Sequence, residues 1–114
     1  MRKLKKFIMT RYIKNKYVGK YFKRITKSDD ISVFRINDFD GKYFIVTYFY
    51  LHHLGYSTQE ENLRVYPEFL TQSNFIQIPK TEYDAIKSLC INPYTTFYDD
   101  NNRPYYKKHN EKRK

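Results

Sequence analysis

Basic and aromatic side chains alternate near the amino-terminal end of this chain, in a pattern whose chemistry suits a polyanion. The first 27 residues contain 11 of the 22 lysines and arginines and no aspartate or glutamate. Cationic side chains bind phosphates without base preference, and tyrosine rings between them can stack on bases. The candidate phosphate-binding residues are Lys5, Lys6, Arg11, Lys14, Lys16, Lys20, Lys23 and Arg24, and the candidate stacking residues are Tyr17 and Tyr21.

The carboxyl-terminal end repeats this bias. Residues 103–114 contain six basic side chains and one acidic side chain, whereas residues 28–102 contain five basic and 11 acidic ones. The net charge of +10 therefore comes entirely from the two ends. Lys107 and Lys108 follow two tyrosines, and they join the candidate phosphate-binding residues for the same reason.

No arrangement of side chains predicts catalysis or a cofactor. The glutamates have no spacing that would hold two carboxylates together for acid–base chemistry. His52 and His53 are adjacent, so on a strand they would point to opposite faces and could not bind one metal ion together. The single cysteine, Cys90, cannot complete a set of zinc ligands with these histidines. We therefore predict a protein that is not an enzyme and has no metal, cofactor or small-molecule substrate.

Length and composition favour one domain in the cytoplasm. A chain of 114 residues can bury one core, and one cysteine cannot form an internal disulfide. The apolar residues 7–9 are too few for an export signal, and the run 43–51 is too short to span a bilayer. Abundant lysine, isoleucine, asparagine, tyrosine and phenylalanine indicate A/T-rich codons, which many phages and mobile elements use. A phage-encoded protein would act in the cytoplasm of its host.

The elements that position the candidate residues are mostly short strands. Residues 1–16 predict a basic amino-terminal helix or arm, in which Leu4, Phe7, Ile8 and Tyr12 form the apolar stripe. Residues 17–91 predict a β domain closed by a helix near 80–90, and residues 92–114 predict an extended, basic arm that contains tyrosines. Within the β domain, Asp40 and Gly41 predict a tight hairpin. Strands are expected at 17–25, 31–37, 43–51, 63–69 and 75–78, with a loop at 52–62.

Two segments, Val18–Lys23 and Ile78–Tyr83, resemble parts of the small SH3-like (KOW/Tudor-like) β-barrel modules of phage or mobile-element proteins. The resemblance covers roughly residues 17–90. It implies a mainly β, α+β fold, either a small five-stranded SH3-like barrel or a curled antiparallel sheet. It also implies that aromatic residues near the rim, here Tyr43, Tyr48 or Tyr50, bind nucleic acids or protein tails.

Together these features predict a non-catalytic protein that binds DNA or RNA through basic, tyrosine-bearing ends. One alternative is a protein-interaction module encoded by a phage or mobile element, whose cations face an acidic surface of a host enzyme and inhibit it. Another is a small structural subunit of a ribonucleoprotein or virion. All three functions predict that the basic ends of the chain contact a polyanion or an acidic protein surface. None of them involves a membrane.

Overall fold

The computed structural model describes residues 2–90 and 94–108, with side chains for 8–90 and 96–105. Its elements in chain order are α1 (Arg2–Tyr17), β1 (Tyr21–Ile25), β2 (Ile31–Phe39), β3 (Phe44–Leu51), β4 (Ser57–Val65), α2 (Glu68–Gln72), β5 (Ile76–Ile78), α3 (Lys80–Leu89), β6 (Tyr94–Tyr98) and β7 (Pro104–Lys108). The predicted mainly β, α+β class is confirmed.

All seven strands belong to one sheet in the order β5-β1-β2-β3-β4-β6-β7. Neighbouring strands are antiparallel except for β4 and β6, which are parallel. The sheet does not close on itself, so the five-stranded SH3-like barrel is not confirmed. None of the helices in the described residues is both long and apolar enough to cross a membrane.

Helices cover both faces of this sheet, and we name each face after its helix. On the α1 face, rings such as Phe34 and Phe44 are fully buried beneath α1 and α2. On the α3 face, Val33 and Phe49 pack against Tyr83 of α3. Side chains alternate between the faces of a strand, and a strand buried on both sides must therefore be apolar throughout. This explains why β3, in the centre of the sheet, is apolar at every position except Thr47.

The hairpin predicted at Asp40 and Gly41 connects β2 and β3. The Asp40 carboxylate accepts hydrogen bonds from the backbone N–H groups of Lys42 and Tyr43, at 2.9 and 2.7 Å. Gly41 has a φ of +100°, which residues with a side chain rarely adopt. The local sequence was therefore sufficient to locate this turn.

The apolar stripe predicted for α1 is wrong. Ile8 and Tyr12 are 57 and 56% exposed, and the residues that pack on the α1 face are Ile13 and Tyr17. The side chains of Leu4 and Phe7, which complete the predicted stripe, lie outside the described residues. Within the described part of α1, the residues that dock on the sheet come from its carboxyl-terminal end, one turn apart. This docking leaves the opposite side of the helix in solvent.

Three further segments differ from the sequence prediction. The expected loop at 52–62 and strand at 63–69 are replaced by β4, which begins at Ser57, and by α2, which follows Pro67. The expected strand at 17–25 begins only at Tyr21, because α1 continues to Tyr17. Residues 94–108 form the β6–β7 hairpin, which joins the sheet through β4. Pairing with strands distant in sequence accounts for β4, β6 and β7.

Candidate nucleic-acid interface

The exposed side of α1 and the turn after it carry four of the predicted phosphate-binding residues. Arg11, Lys14, Lys16 and Lys20 are all exposed, and we call them the α1 cationic surface. Among the described residues only one carboxylate pairs with them, since Lys14 Nζ lies 3.6 Å from an exposed Asp38 oxygen. Lys5 and Lys6 also lie in α1, but their side chains are outside the described residues. This surface therefore holds positive charge that the protein itself hardly neutralises.

Two tyrosines flank Lys16 on this surface. The Lys16 Nζ atom lies 5.7 Å from the ring centroid of Tyr12 and 5.4 Å from that of Tyr17, within cation–π range. The electrostatic interaction with Tyr12, followed by that with Tyr17, raises the pKa of Lys16 above its usual 10.5. The positive charge of Lys16 is therefore favoured in the fold.

The two predicted stacking residues each contact another ring of the domain. Tyr17 is half-buried with its ring 5.5 Å from that of Phe44, and Tyr21 is half-buried with its ring 4.7 Å from that of Tyr83. Their stacking on bases stays a prediction. The more exposed ring is Tyr12, which sequence reasoning had assigned to the buried stripe. Its exposure, at 56%, makes it the better placed candidate on the α1 cationic surface.

The adjacent Lys23 and Arg24 lie on opposite faces of β1. Lys23 donates to Glu82 of α3, forming an ion pair inside the domain. Arg24 lies on the α1 face with its guanidinium 5.4 Å from the ring centroid of Phe75, and its Nη1 atom lies 3.5 Å from the carbonyl oxygen of Ser73. Its buried Nε atom has no hydrogen-bond partner. Of this pair, Arg24 is therefore the residue whose charge remains unpaired among the described residues.

The carboxyl-terminal candidates are not close to this group. Lys107 and Lys108 belong to β7, and their side chains lie outside the described residues. Five strand spacings separate β7 from β1 in the sheet order, which corresponds to roughly 24 Å along the sheet. The backbone thus places β7 far from β1 along the sheet.

The three tyrosines implied by the SH3-like resemblance have partners within the domain. The hydroxyl of Tyr48 donates to Ser32 Oγ at 2.9 Å, and that of Tyr50 donates to Asp30. The ring of Tyr43 lies 4.8 Å from that of Tyr66. Hydrogen bonds and ring packing thus explain all three positions without a ligand.

Sequence reasoning missed a polar cluster around the buried Asp30. His52 and His53 lie in the turn after β3, not on a strand, and the expectation that they point apart is wrong. The His53 backbone N–H donates to Asp30 at 2.9 Å, its Nδ1 atom lies 2.8 Å from the same oxygen, and His52 Nε2 lies 4.0 Å away. No local signal links residue 30 to these histidines, because the turns meet only in the folded sheet.

The cluster is compact enough to surround a cation, but its hydrogen bonds favour another role. His52 Nδ1 accepts the backbone N–H of Leu54 at 3.1 Å, so this nitrogen is engaged within the turn. The hydrogen bond from Tyr50, followed by those with His53, lowers the pKa of Asp30. The same hydrogen bond to Asp30 raises the pKa of Tyr50 to about 12. The cluster therefore ties the β1–β2 turn to the β3–β4 turn.

No protein-family model matches this chain, and neither a curated protein nor a solved structure matches it.

Proposed function

We propose that this protein binds nucleic acid, without catalysing a reaction, through the α1 cationic surface. The observation that carries the proposal is that three of its four cations form no ion pair with any described residue. Arg11, Lys16 and Lys20 are exposed and form no ion pair with any described residue. Four cations next to an exposed tyrosine suit phosphates and an adjacent base, because each phosphate neutralised releases condensed counterions.

Two features of the sequence prediction stay proposals. We place the protein in the cytoplasm of a cell or phage host, because a single cysteine suits a reducing compartment. The resemblance to SH3-like modules of phages and mobile elements remains a hypothesis, and nucleic-acid binding by α1 does not depend on it. The candidates Lys107 and Lys108 on β7 would form a second contact at the other edge of the sheet.

Charge reversal on α1 tests this proposal against a matched control. The double variant Arg11→Glu/Lys16→Glu should weaken binding to a labelled oligonucleotide about 100-fold at low salt. The control is Lys80→Glu/Lys87→Glu on α3, which lowers the net charge by the same amount but on the other face of the sheet. We expect the control to bind within about threefold of the wild type. Equal losses in both variants would contradict a defined surface, and wild-type protein that binds no oligonucleotide would remove the proposal.

A second candidate function is a protein-interaction module that presents α1 to an acidic partner, such as a host enzyme or the other subunits of a ribonucleoprotein or virion. The observation in its favour is apolar exposure on the same helix, with Ile8 and Met9 57 and 50% exposed. Apolar side chains surrounded by cations suit an acidic protein groove better than they suit phosphates. In the variant Ile8→Ser/Met9→Ser, unchanged oligonucleotide binding with loss of a copurifying protein would favour this second function.

A further inference from the structure

A groove along the β1 edge of the sheet continues from the end of α1. It consists of two adjoining hollows of about 450 and 510 Å³, which share Asn74 and Ile76 as walls. The first begins at Tyr17, and the second ends at Lys27. We call the two hollows together the β1-edge groove. It lies beyond the α1 cationic surface and extends it toward the turn after β1.

Strand lengths explain why a groove forms here. The short strand β5 pairs only with Tyr21–Lys23, so the last two residues of β1 have no neighbouring strand on that side. The connection from α2 to β5, which includes Ser73 and Asn74, borders the resulting gap. The hollow thus lies beside the part of β1 that extends beyond its pairing with β5.

Three cations and no carboxylate line the second hollow, namely Lys23, Arg24 and Lys27. Lys23 pairs with Glu82 on the α3 face, which leaves Arg24 and Lys27 as the charges of this hollow. Lys27 is exposed and forms no ion pair with any described residue. The Arg24 guanidinium has no carboxylate partner there either, and its position over the Phe75 ring fixes its plane. An arginine and a lysine in a concave site without carboxylates suit phosphate groups.

The first hollow is more apolar. Phe22, Leu70 and Phe75 form its floor, and Ile76 stands at the boundary between the hollows with 59% of its surface exposed. An apolar side chain in this position can contact the face of an unstacked base. The side-chain amides of Gln72 and Asn74 can form hydrogen bonds to the edge of that base. A duplex keeps the faces of its bases stacked on one another, so it cannot place a base face against this hollow.

We infer that the β1-edge groove binds one strand of a single-stranded nucleic acid, with phosphates at Arg24 and Lys27 and a base against Ile76. This inference rests on the proposed function and specifies its substrate. The α1 cationic surface contacts phosphates of any nucleic acid, whereas the groove adds contacts that only an unpaired strand can make. The protein should therefore prefer single strands to duplexes.

Three labelled probes of equal length test the inference by fluorescence anisotropy: the single strands dT15 and U15, and a 15-base-pair DNA duplex. We expect wild-type protein to bind at least one single strand about tenfold more tightly than the duplex. The tighter of the two single strands identifies the sugar that the groove accepts. Equal affinity for the duplex and both single strands would overturn the groove while leaving the α1 proposal intact.

Two substitutions locate the preference in the groove. Lys27→Glu lies in an exposed turn, and Ile76→Ser removes an exposed apolar side chain, so neither disturbs a buried residue. Each should weaken single-strand binding about tenfold and duplex binding by less than about threefold. Lys87→Glu on α3 is the matched control for Lys27→Glu, and thermal unfolding confirms that each variant is folded.

The two proposals fail in different ways. A loss with Lys27→Glu no larger than that with Lys87→Glu overturns the groove. A loss with Lys27→Glu but none with Arg11→Glu/Lys16→Glu supports the groove and overturns the α1 cationic surface. Failure of wild-type protein to bind all three probes at low salt overturns both.

Discussion

The described cations of the amino-terminal region, Arg11–Lys27, differ from those of residues 35–103 in how many of them lack a partner. Arg64 of β4 lies 3.8 Å from Asp40 and 3.5 Å from Asp100 and donates to a backbone carbonyl. Each of the other cations in residues 35–103 contacts a carboxylate, an amide oxygen or an aromatic ring; these are Arg35, Lys42, Lys80, Lys87 and Arg103. In the amino-terminal region, four cations have such a contact, namely Lys14, Lys16, Lys23 and Arg24. The other three, Arg11, Lys20 and Lys27, have none among the described residues.

This difference separates the residues that stabilise the protein from those available to a partner. Arg64 connects the β2–β3 turn to the β6–β7 turn, so its charge contributes to the fold. Lys23 follows the same rule through Glu82, although it belongs to the basic amino-terminal segment. Among the exposed cations of α1, only Lys14 has a carboxylate partner in the described residues, and that pair is exposed. Substitutions in the two regions should therefore affect different properties.

Removing a ring from the core should give the greatest loss of stability. Phe34 is fully buried, and its ring lies 4.9 Å from that of Phe75 and 5.6 Å from that of Phe22. Phe34→Ala should lower the free energy of unfolding by about 3–5 kcal/mol, because it removes apolar contacts and leaves a cavity. Denaturant unfolding measures this loss, and Phe34→Leu should lose less. An unchanged midpoint would contradict the assignment of the core.

Removing the carboxylate of the polar cluster should be the next largest effect. Asp30→Asn weakens the hydrogen bonds from Tyr50 and His53 and should lower Tm by on the order of 10 °C at pH 7. Because the pKa of Asp30 is lowered in the fold, its contribution is complete above the usual value of 3.8 and is lost as pH falls through the lower folded value. The difference in Tm between the wild type and the variant should shrink in acid. A difference that grows in acid would contradict this account.

Tyr50 should contribute less to stability than Asp30, and its contribution should be lost at high pH. Its pKa is raised to about 12 from 10.0, so its contribution to stability is complete below pH 10 and is lost as pH rises through 12. Tyr50→Phe should remove this loss. The absorbance titration of the wild type minus that of Tyr50→Phe should show one phenol ionising near pH 12. A difference titration centred at pH 10 would exclude the hydrogen bond to Asp30.

Charge substitutions outside these contacts should have the smallest effect on stability. Lys80→Ala breaks an exposed pair with Asp84 at 2.7 Å, and such pairs contribute less than about 0.5 kcal/mol. Arg11→Glu/Lys16→Glu should lower the unfolding free energy by at most about 1 kcal/mol, because it removes only the contacts of Lys16 with Tyr12 and Tyr17 and neither cation has a carboxylate partner among the described residues. Denaturant unfolding compares the two variants directly. A large loss in the α1 variant would mean that its cations stabilise the fold.

The sequence predicted those parts of the fold that local patterns determine. Apolar residues on both faces located β2 and β3, the pair Asp40 and Gly41 located their turn, and helical spacing located α3. The sequence missed the beginning of β4, because residues 57–62 are polar on both faces. Glu60 accepts the hydroxyl of Tyr98 and Glu61 that of Thr47, so these polar side chains are satisfied by neighbouring strands. Such pairing cannot be read from the strand itself.

The candidate site was predictable in composition but not in detail. The excess of lysine and arginine without acids was evident from residues 1–27 alone. Which cations remain free depends on tertiary contacts, since Glu82 reaches Lys23 from 59 residues away while no carboxylate in the described part of the chain pairs with Lys20. The β1-edge groove likewise depends on the length of β5 relative to β1. A sequence pattern shows neither which cations remain free nor where β5 ends relative to β1.

The salt dependence of binding shows whether the α1 cationic surface contacts phosphates. The logarithm of the association constant for an oligonucleotide should fall linearly with the logarithm of salt concentration, and the triple variant Arg11→Gln/Lys16→Gln/Lys20→Gln should have a slope shallower by about 2–3. This result would mean that these three cations contact phosphates. A wild-type slope near zero, or a triple variant with the same slope as the wild type, would contradict the claim that the α1 cationic surface binds nucleic acid.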